Sequence, residues 1–90
     1  SRQRGSRERT MPTILQIGPW RLFFFSKEGR EPAHIHVSSQ GREAKFWLAD
    51  GRLASSYGLR PHELAQLAAI VREHRERFLE AWHEHFDRNA

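Results

Sequence analysis

Two stretches of alternating character predict a β-hairpin: HIHV at residues 34–37 and EAKFWL at residues 43–48. Successive residues of a strand point to opposite faces. The apolar residues of the two stretches would therefore cover one core: Ala33, Ile35, Val37, Ala44, Phe46 and Leu48. The other face would then collect the polar residues and one indole: His34, His36, Glu43, Lys45 and Trp47. The alternation thus predicts a polar face opposite an apolar one.

The turn between the two stretches sets their register. Cross-strand partners share a face, so odd-numbered positions must pair with even-numbered ones. A four-residue turn over residues 38–41 meets this requirement. It predicts that His36 lies opposite Glu43. His34 would then lie opposite Lys45.

The remaining chain predicts more strands and then a helical segment. β-rich runs occupy Thr13–Ile17, Trp20–Phe25 and Leu53–Tyr57, each bounded by Gly or Pro turns or a polar connection. From Pro61 onward, apolar residues follow a helical spacing that predicts burial against the sheet: Leu64, Leu67, Val71, Phe78 and Trp82. The stripe is polar at His74 and Arg75, which predicts a bend or a break. We expect an α+β fold: a small antiparallel sheet of four or five strands, followed by a long or bent C-terminal helix, or two helices, packed on one face.

Length and composition predict one small domain. Of the 90 residues, 1–10 have no apolar side chain and carry net charge +3, so we expect a disordered basic tail of upstream or vector-derived sequence before a single domain at 11–90. Residues 11–60 carry +3 and residues 61–90 carry −2, which gives a basic sheet half and an acidic helical half. No apolar run is long enough for a membrane span. The absence of Cys fits the reducing cytoplasm.

The polar face carries the groups that RNA cleavage needs. His34, His36, Glu43 and Lys45 are the candidate catalytic residues, because imidazole and carboxylate can exchange protons and an ammonium can stabilise a phosphorane. Trp47, Arg21 and Arg42 are the candidate nucleic-acid contacts, with Trp47 as a stacking surface. Two alternatives stay open. His34, His36 and Glu43 could instead ligate a metal, or the face could be a solvated surface of cross-strand ion pairs.

Several blocks of the sequence resemble a family of small bacterial proteins, the domain-of-unknown-function family 4160. They include MPTIL at 11–15, the Phe-rich run, EPAHIHV at 31–37, EAKFWL at 43–48 and EAW at 80–82. Its Pro-His-x-His-Val motif maps onto His34, His36 and Val37, with Ala33 in place of the usual Pro. Its Glu-Ala-Lys motif maps onto 43–45 unchanged. Arg60 stands where the family often has Ser or Thr before the helix, which predicts a weaker N-cap.

The resemblance implies the toxin half of a type II toxin–antitoxin pair, whose partner is an antitoxin protein often from the neighbouring family 2442. Together with the polar face, it predicts an endoribonuclease-type toxin that acts on RNA, or on DNA, without a cofactor. The alternative is a non-catalytic module that binds nucleic acid or a partner protein as an accessory regulator. Of the two, the resemblance favours the toxin.

Overall fold

A computed structural model of the chain describes residues 13–25 and 30–86. The elements are β1 (Thr13–Ile17), β2 (Trp20–Phe23), β3 (His34–Ser39), β4 (Arg42–Trp47), β5 (Leu53–Tyr57), α1 (Pro61–Glu73) and α2 (Arg75–Phe86). The predicted α+β fold is confirmed, with five strands and two helices in the described part. The predicted disorder of residues 1–10 lies outside the described residues. No described helix is long and apolar enough to cross a membrane.

The sheet is an antiparallel meander in the order β1-β2-β3-β4-β5. The predicted β3–β4 register is wrong by two residues: His36 pairs with Lys45, and His34 pairs with Trp47. The turn has two residues, Gln40 and Gly41, rather than four, and both have positive φ, 52° and 80°. Two-residue hairpin turns of this left-handed kind match the twist of the strands. Parity is unchanged by the shift, so each residue keeps its predicted face.

The core lies between the sheet and the helices. Its members are Trp20, Leu22, Phe24, Ile35, Val37, Ala44, Phe46, Leu48, Leu67, Val71, Phe78 and Trp82. The helical stripe predicted from spacing is buried as expected at four positions, while Leu64 is half-buried. Trp82 packs edge-on against Phe24 at 5.1 Å between ring centroids. These contacts fix which face of the sheet the helices cover.

Helix α1 begins at Pro61 and is joined to β4 by an ion pair. Arg60 precedes it without a side-chain cap, and its backbone N–H donates to Glu63 Oε1 at 2.9 Å. Arg42 Nη1 donates to the other oxygen of Glu63 at 2.5 Å. The backbone donor and the Arg42 guanidinium hold the pKa of the Glu63 carboxyl below its ordinary value of 4.5, against the opposing effect of desolvation. Glu63 at N3 therefore makes the hydrogen bond of a capping box that returns to the N-cap backbone.

The helical segment breaks at His74, as the polar interruption predicted. His74 has non-helical φ and ψ, −107° and 17°, and its backbone N–H still donates to Ile70 O. The Arg75 guanidinium donates to the carbonyls of Leu48 and Ala49, the latter at 3.0 Å. These bonds tie the break to the end of β4. The second helix can thus turn its own apolar side onto the same core.

Candidate active site on the open face of the sheet

The sheet face opposite the helices, called the open face below, collects both residues of alternate cross-strand pairs. By register it carries Arg21, Phe23, His34, His36, Ser38, Glu43, Lys45, Trp47, Ser55 and Tyr57. The prediction that the two His, Glu43, Lys45 and Trp47 share one face is confirmed by these pairings. Ile35, Val37, Ala44 and Phe46 lie on the helix-covered face and are buried. Alternation along the strands therefore sorted both sets correctly.

A pocket of about 180 Å³ opens on this face between β3, β4 and β5. It is lined by Phe25, His36, Glu43, Ala44, Lys45, Ser55, Ser56 and Tyr57. Three of the four candidate catalytic residues therefore line one cavity. Glu43 is exposed and lies on β4 two residues before Lys45, which pairs with His36. The cross-strand partners of Glu43 are Ser38 on β3 and Tyr57 on β5. The pocket is thus lined by one histidine, one glutamate and one lysine.

His36 is held in the pocket wall by aromatic rings. Its ring stacks on Phe23 at 5.5 Å between centroids, with an interplanar angle of 21°. Phe25 meets it edge-on at 4.6 Å, and His34 does so at 5.0 Å. The side chain is half-buried, so one part of it reaches the pocket. A ring fixed in this way is restricted in orientation, which suits a group that must direct a proton.

By its register His34 belongs to the open face, but it is the first residue of β3, and there helix α2 contacts it, so that its surface is 0% exposed. Its ring packs against Trp82 of α2 at 4.9 Å and against Trp47 at 5.8 Å. Its Nδ1 lies 2.9 Å from the carbonyl oxygen of Pro32, and because a carbonyl only accepts, Nδ1 carries the proton and donates it. The sequence placed His34 among residues that face a substrate. It is instead buried, with its ring against that of His36.

Lys45 is paired with Glu31 rather than with Glu43. Its ammonium lies 2.8 Å from Glu31 Oε1 and 4.8 Å from the centre of the Trp47 ring. The Lys45 side chain is 20% exposed and that of Glu31 is 44% exposed. Trp47 is half-buried, with the ammonium over its ring and His34 against its plane. The indole predicted as a stacking surface is thus occupied by neighbours from its own chain.

The two arginines predicted to contact nucleic acid lie on different faces. Arg21 is on the open face, where its guanidinium lies over the Phe23 ring at 4.5 Å and donates to Thr13 Oγ1. Arg42 shares the helix-covered face with Ala44, and it pairs with Glu63 while lying over the Trp20 ring at 5.0 Å. Only Arg21 therefore accompanies the pocket residues.

The metal alternative finds no ligand set in the part of the chain that is described. No three His, Cys, Asp or Glu side chains come together there closely enough to hold an ion. The predicted trio is spread along the ladder, because His34 pairs with Trp47 and Glu43 pairs with Ser38, four residues apart on each strand. The Nδ1 of His34 is also engaged by Pro32.

One family model matches residues 20–83, and its description is "Domain of unknown function (DUF4160)". The chain belongs to this family. The match confirms the family resemblance read from the sequence motifs. No curated protein and no solved structure matches the chain. The matched range of the DUF4160 domain contains every residue that lines the pocket.

Sequence reasoning missed two pocket residues of this DUF4160 domain, Phe25 and Tyr57, and it also missed Glu31, the partner of Lys45. Tyr57 pairs with Glu43 across the β4–β5 ladder and is 73% exposed. Tyr57 lies on the same face of the sheet as Glu43. Alternation along β5 could have predicted this only if the register of β5 with β4 had been known. Glu31 and Phe25 lie outside the strands, so no periodicity could place them.

Proposed function

We propose that this DUF4160 protein is a toxin-like enzyme that cleaves RNA at the open-face pocket by general acid–base chemistry. The observation that carries the proposal is that His36, Glu43 and Lys45 line one cavity. A proton acceptor, a proton donor and a cation within one small site are the groups that phosphodiester cleavage requires. The aromatic support around His36 adds fixed orientation, which a solvated surface of ion pairs would not need.

The reaction is an in-line transfer within the RNA chain. The ribose 2′-oxygen forms a bond to the adjacent phosphorus, and the bond from phosphorus to the 5′-oxygen breaks. The products are a 2′,3′-cyclic phosphate and a 5′-hydroxyl. The proton of the 2′-hydroxyl passes to a base on the protein, and an acid on the protein gives a proton to the leaving oxygen. Atoms and protons balance without a further reactant.

The burial of His34 supports the roles that the proposal gives to the remaining groups. With His34 sealed beneath Trp82, His36 is the pocket imidazole and serves as the acid that protonates the leaving oxygen. Glu43, the exposed carboxylate, serves as the base for the 2′-hydroxyl. Lys45 balances the charge that develops on the phosphorane.

Lys45 must exchange its partner when a phosphate enters the pocket. Its ion pair with Glu31 is partly exposed, and exposed ion pairs contribute about 0–1 kcal/mol. A phosphate oxygen can therefore replace the Glu31 carboxylate at small cost. The charge of the Lys45 ammonium is then balanced by Glu31 without substrate and by the phosphate with it. This balance is how a half-buried lysine can remain charged in both states.

The test is RNA cleavage by the purified chain and by three variants, His36→Gln, Glu43→Gln and Lys45→Met. Each removes a proton-transfer group or the charge while keeping size, and acid–base steps are typically worth ~10²–10⁴-fold, so each should lower the cleavage rate by that order. The matched control is His62→Gln, an exposed histidine on α1 away from the pocket, which should cleave like the parent. Circular dichroism of every variant checks the fold.

Two outcomes would refute the proposal that this protein is an enzyme. If the parent protein leaves RNA and DNA intact, or if His36→Gln and His62→Gln cleave equally fast, the pocket does not perform the reaction. Binding of RNA without cleavage, with graded losses on removal of Arg21 and Lys45, would instead support the non-catalytic binding module.

The toxin part of the proposal has its own test, and its support is the family resemblance. We infer an antitoxin partner of family 2442, encoded beside this protein. Expression of the chain alone should slow bacterial growth, and co-expression of the neighbouring gene should restore it. The His36→Gln variant should be harmless in the same host. Equal growth with and without the chain would refute the toxin role, whatever the purified protein does to RNA.

A further inference from the structure

We propose that Tyr57 is a stacking subsite for one unpaired base, and hence that the substrate is single-stranded at the cleavage point. The inference rests on the proposed function and names the substrate class of the same pocket. Tyr57 is the most exposed large hydrophobic residue of the described chain, at 73%, and it forms part of the pocket rim. It is also an edge-strand residue whose cross-strand partner is the proposed base, Glu43.

The size of the pocket requires a contact outside it. At about 180 Å³ the cavity is smaller than the ~300–1,000 Å³ of sites that enclose a drug-sized ligand. It can take a phosphate with part of its ribose, but the attached base must lie on the rim. The rim residue with an exposed aromatic ring is Tyr57. Base and phosphate of one nucleotide would then be held by adjacent strands.

Stacking on a protein ring needs an open base face. In a duplex both faces of each base are covered by neighbouring bases, whereas a single strand or a loop leaves them accessible. Trp47 is less accessible than Tyr57, because it is half-buried and Lys45 and His34 pack against it. Phe23 is buried beneath Arg21 and His36. Phe25 also lines the pocket, but it is half-buried with its ring against Phe23 and His36. Tyr57 is thus the most exposed aromatic ring on the described part of the pocket.

The experiment measures binding separately from cleavage. A fluorescein-labelled 2′-O-methyl oligoribonucleotide cannot be cleaved by the proposed reaction, because its 2′-oxygen carries no proton. Fluorescence anisotropy gives its Kd for the full chain and for Tyr57→Ser, Tyr57→Phe and Leu53→Ser. Leu53 is the matched control: it lies on the same strand and is exposed, but it belongs to the other face through its pairing with Phe46.

Stacking of one base on an aromatic ring is worth an amount that corresponds to about 5- to 150-fold in affinity. Tyr57→Ser should weaken binding by that factor, while Tyr57→Phe and Leu53→Ser should bind like the parent. A blunt duplex of the same sequence should bind the parent more weakly than the single strand. Replacing bases one at a time by abasic sites should reveal one position that matters to the parent and not to Tyr57→Ser.

The proposal is overturned if Tyr57→Ser binds like the parent, if the duplex binds as tightly as the single strand, or if the parent does not bind the oligonucleotide. Unchanged binding by Tyr57→Ser is also the result expected if Tyr57 contacts a partner protein and not a base. Failure of the cleavage proposal looks different: binding depends on Tyr57, but unmodified RNA stays intact. Conversely, RNA that is cleaved with no dependence of binding on Tyr57 removes the stacking subsite alone.

Discussion

On the helix-covered face of the sheet, Phe46 and Leu48 pack with Phe78 and Trp82 in one continuous core. On the open face, aromatic rings also pack closely, but against polar groups: Phe23 and Phe25 against His36, and Trp47 against Lys45. The first arrangement gains stability from apolar area removed from water. The second uses rings to orient titratable and charged groups. Burial therefore serves stability on one face and positioning on the other.

The largest expected difference between the faces concerns two tryptophans. Trp82→Ala should lower the free energy of unfolding by about 3–5 kcal/mol, because it empties a buried site between the sheet and α2. Trp47→Ala on the open face should cost less, since water already reaches part of that ring. Urea unfolding of both variants measures the difference. Equal losses would mean that the open face is as much a part of the core as the other.

His34 tests whether a residue on the open face can be purely supportive. His34→Asn keeps a donor near the position of Nδ1 for Pro32 O but removes the ring beneath His36, and we expect a loss of about 1–3 kcal/mol in unfolding free energy. Its cleavage rate, measured on folded protein, should fall by less than the ~10²-fold expected for loss of an acid or base. A loss as large as that of His36→Gln would return His34 to the catalytic residues.

The Arg42–Glu63 ion pair adds an electrostatic contact to the helix-covered face, because it joins β4 to helix α1. The pKa of Glu63 is lowered in the folded state by the Arg60 N–H and by Arg42. Its contribution is therefore fully present above the ordinary value of 4.5 and is lost as the pH falls through the lowered value. Melting temperatures of the parent and of Glu63→Gln should differ by a constant amount near neutral pH and converge below 4.5. A difference that grows on acidification would contradict this.

The smallest expected change in stability concerns the turn between β3 and β4, which sets the register of these two strands. Gln40 has φ 52°, a left-handed conformation that Asn adopts more readily. Gln40→Asn should raise the free energy of unfolding by roughly 0.5–1 kcal/mol. Gln16→Asn, in the middle of β1, is the matched control and should not stabilise, because strands disfavour Asn. Stabilisation by both changes would locate the cause outside the turn.

Much of the candidate site followed from short-range pattern. The face shared by His36, Glu43 and Lys45 was predictable because alternation in a strand is a local property. The break at His74 was predictable because the polar interruption lies within the helical stripe itself. The β3–β4 register was not, since turns of two and four residues preserve the same parity and both keep the apolar set on one face.

The sequence by itself determined the α+β fold, the two faces of the sheet and the DUF4160 family, all of which depend on the order and spacing of residues along the chain. Only the tertiary structure decided which partner engages each polar residue of the predicted site. His34 is sealed by Trp82, Lys45 is paired with Glu31, and Arg42 is held by Glu63. Each of these partners comes from another part of the chain, and no periodicity in either segment encodes the meeting. Tyr57 belongs to the same group, because it reaches the pocket only through the pairing of β5 with β4.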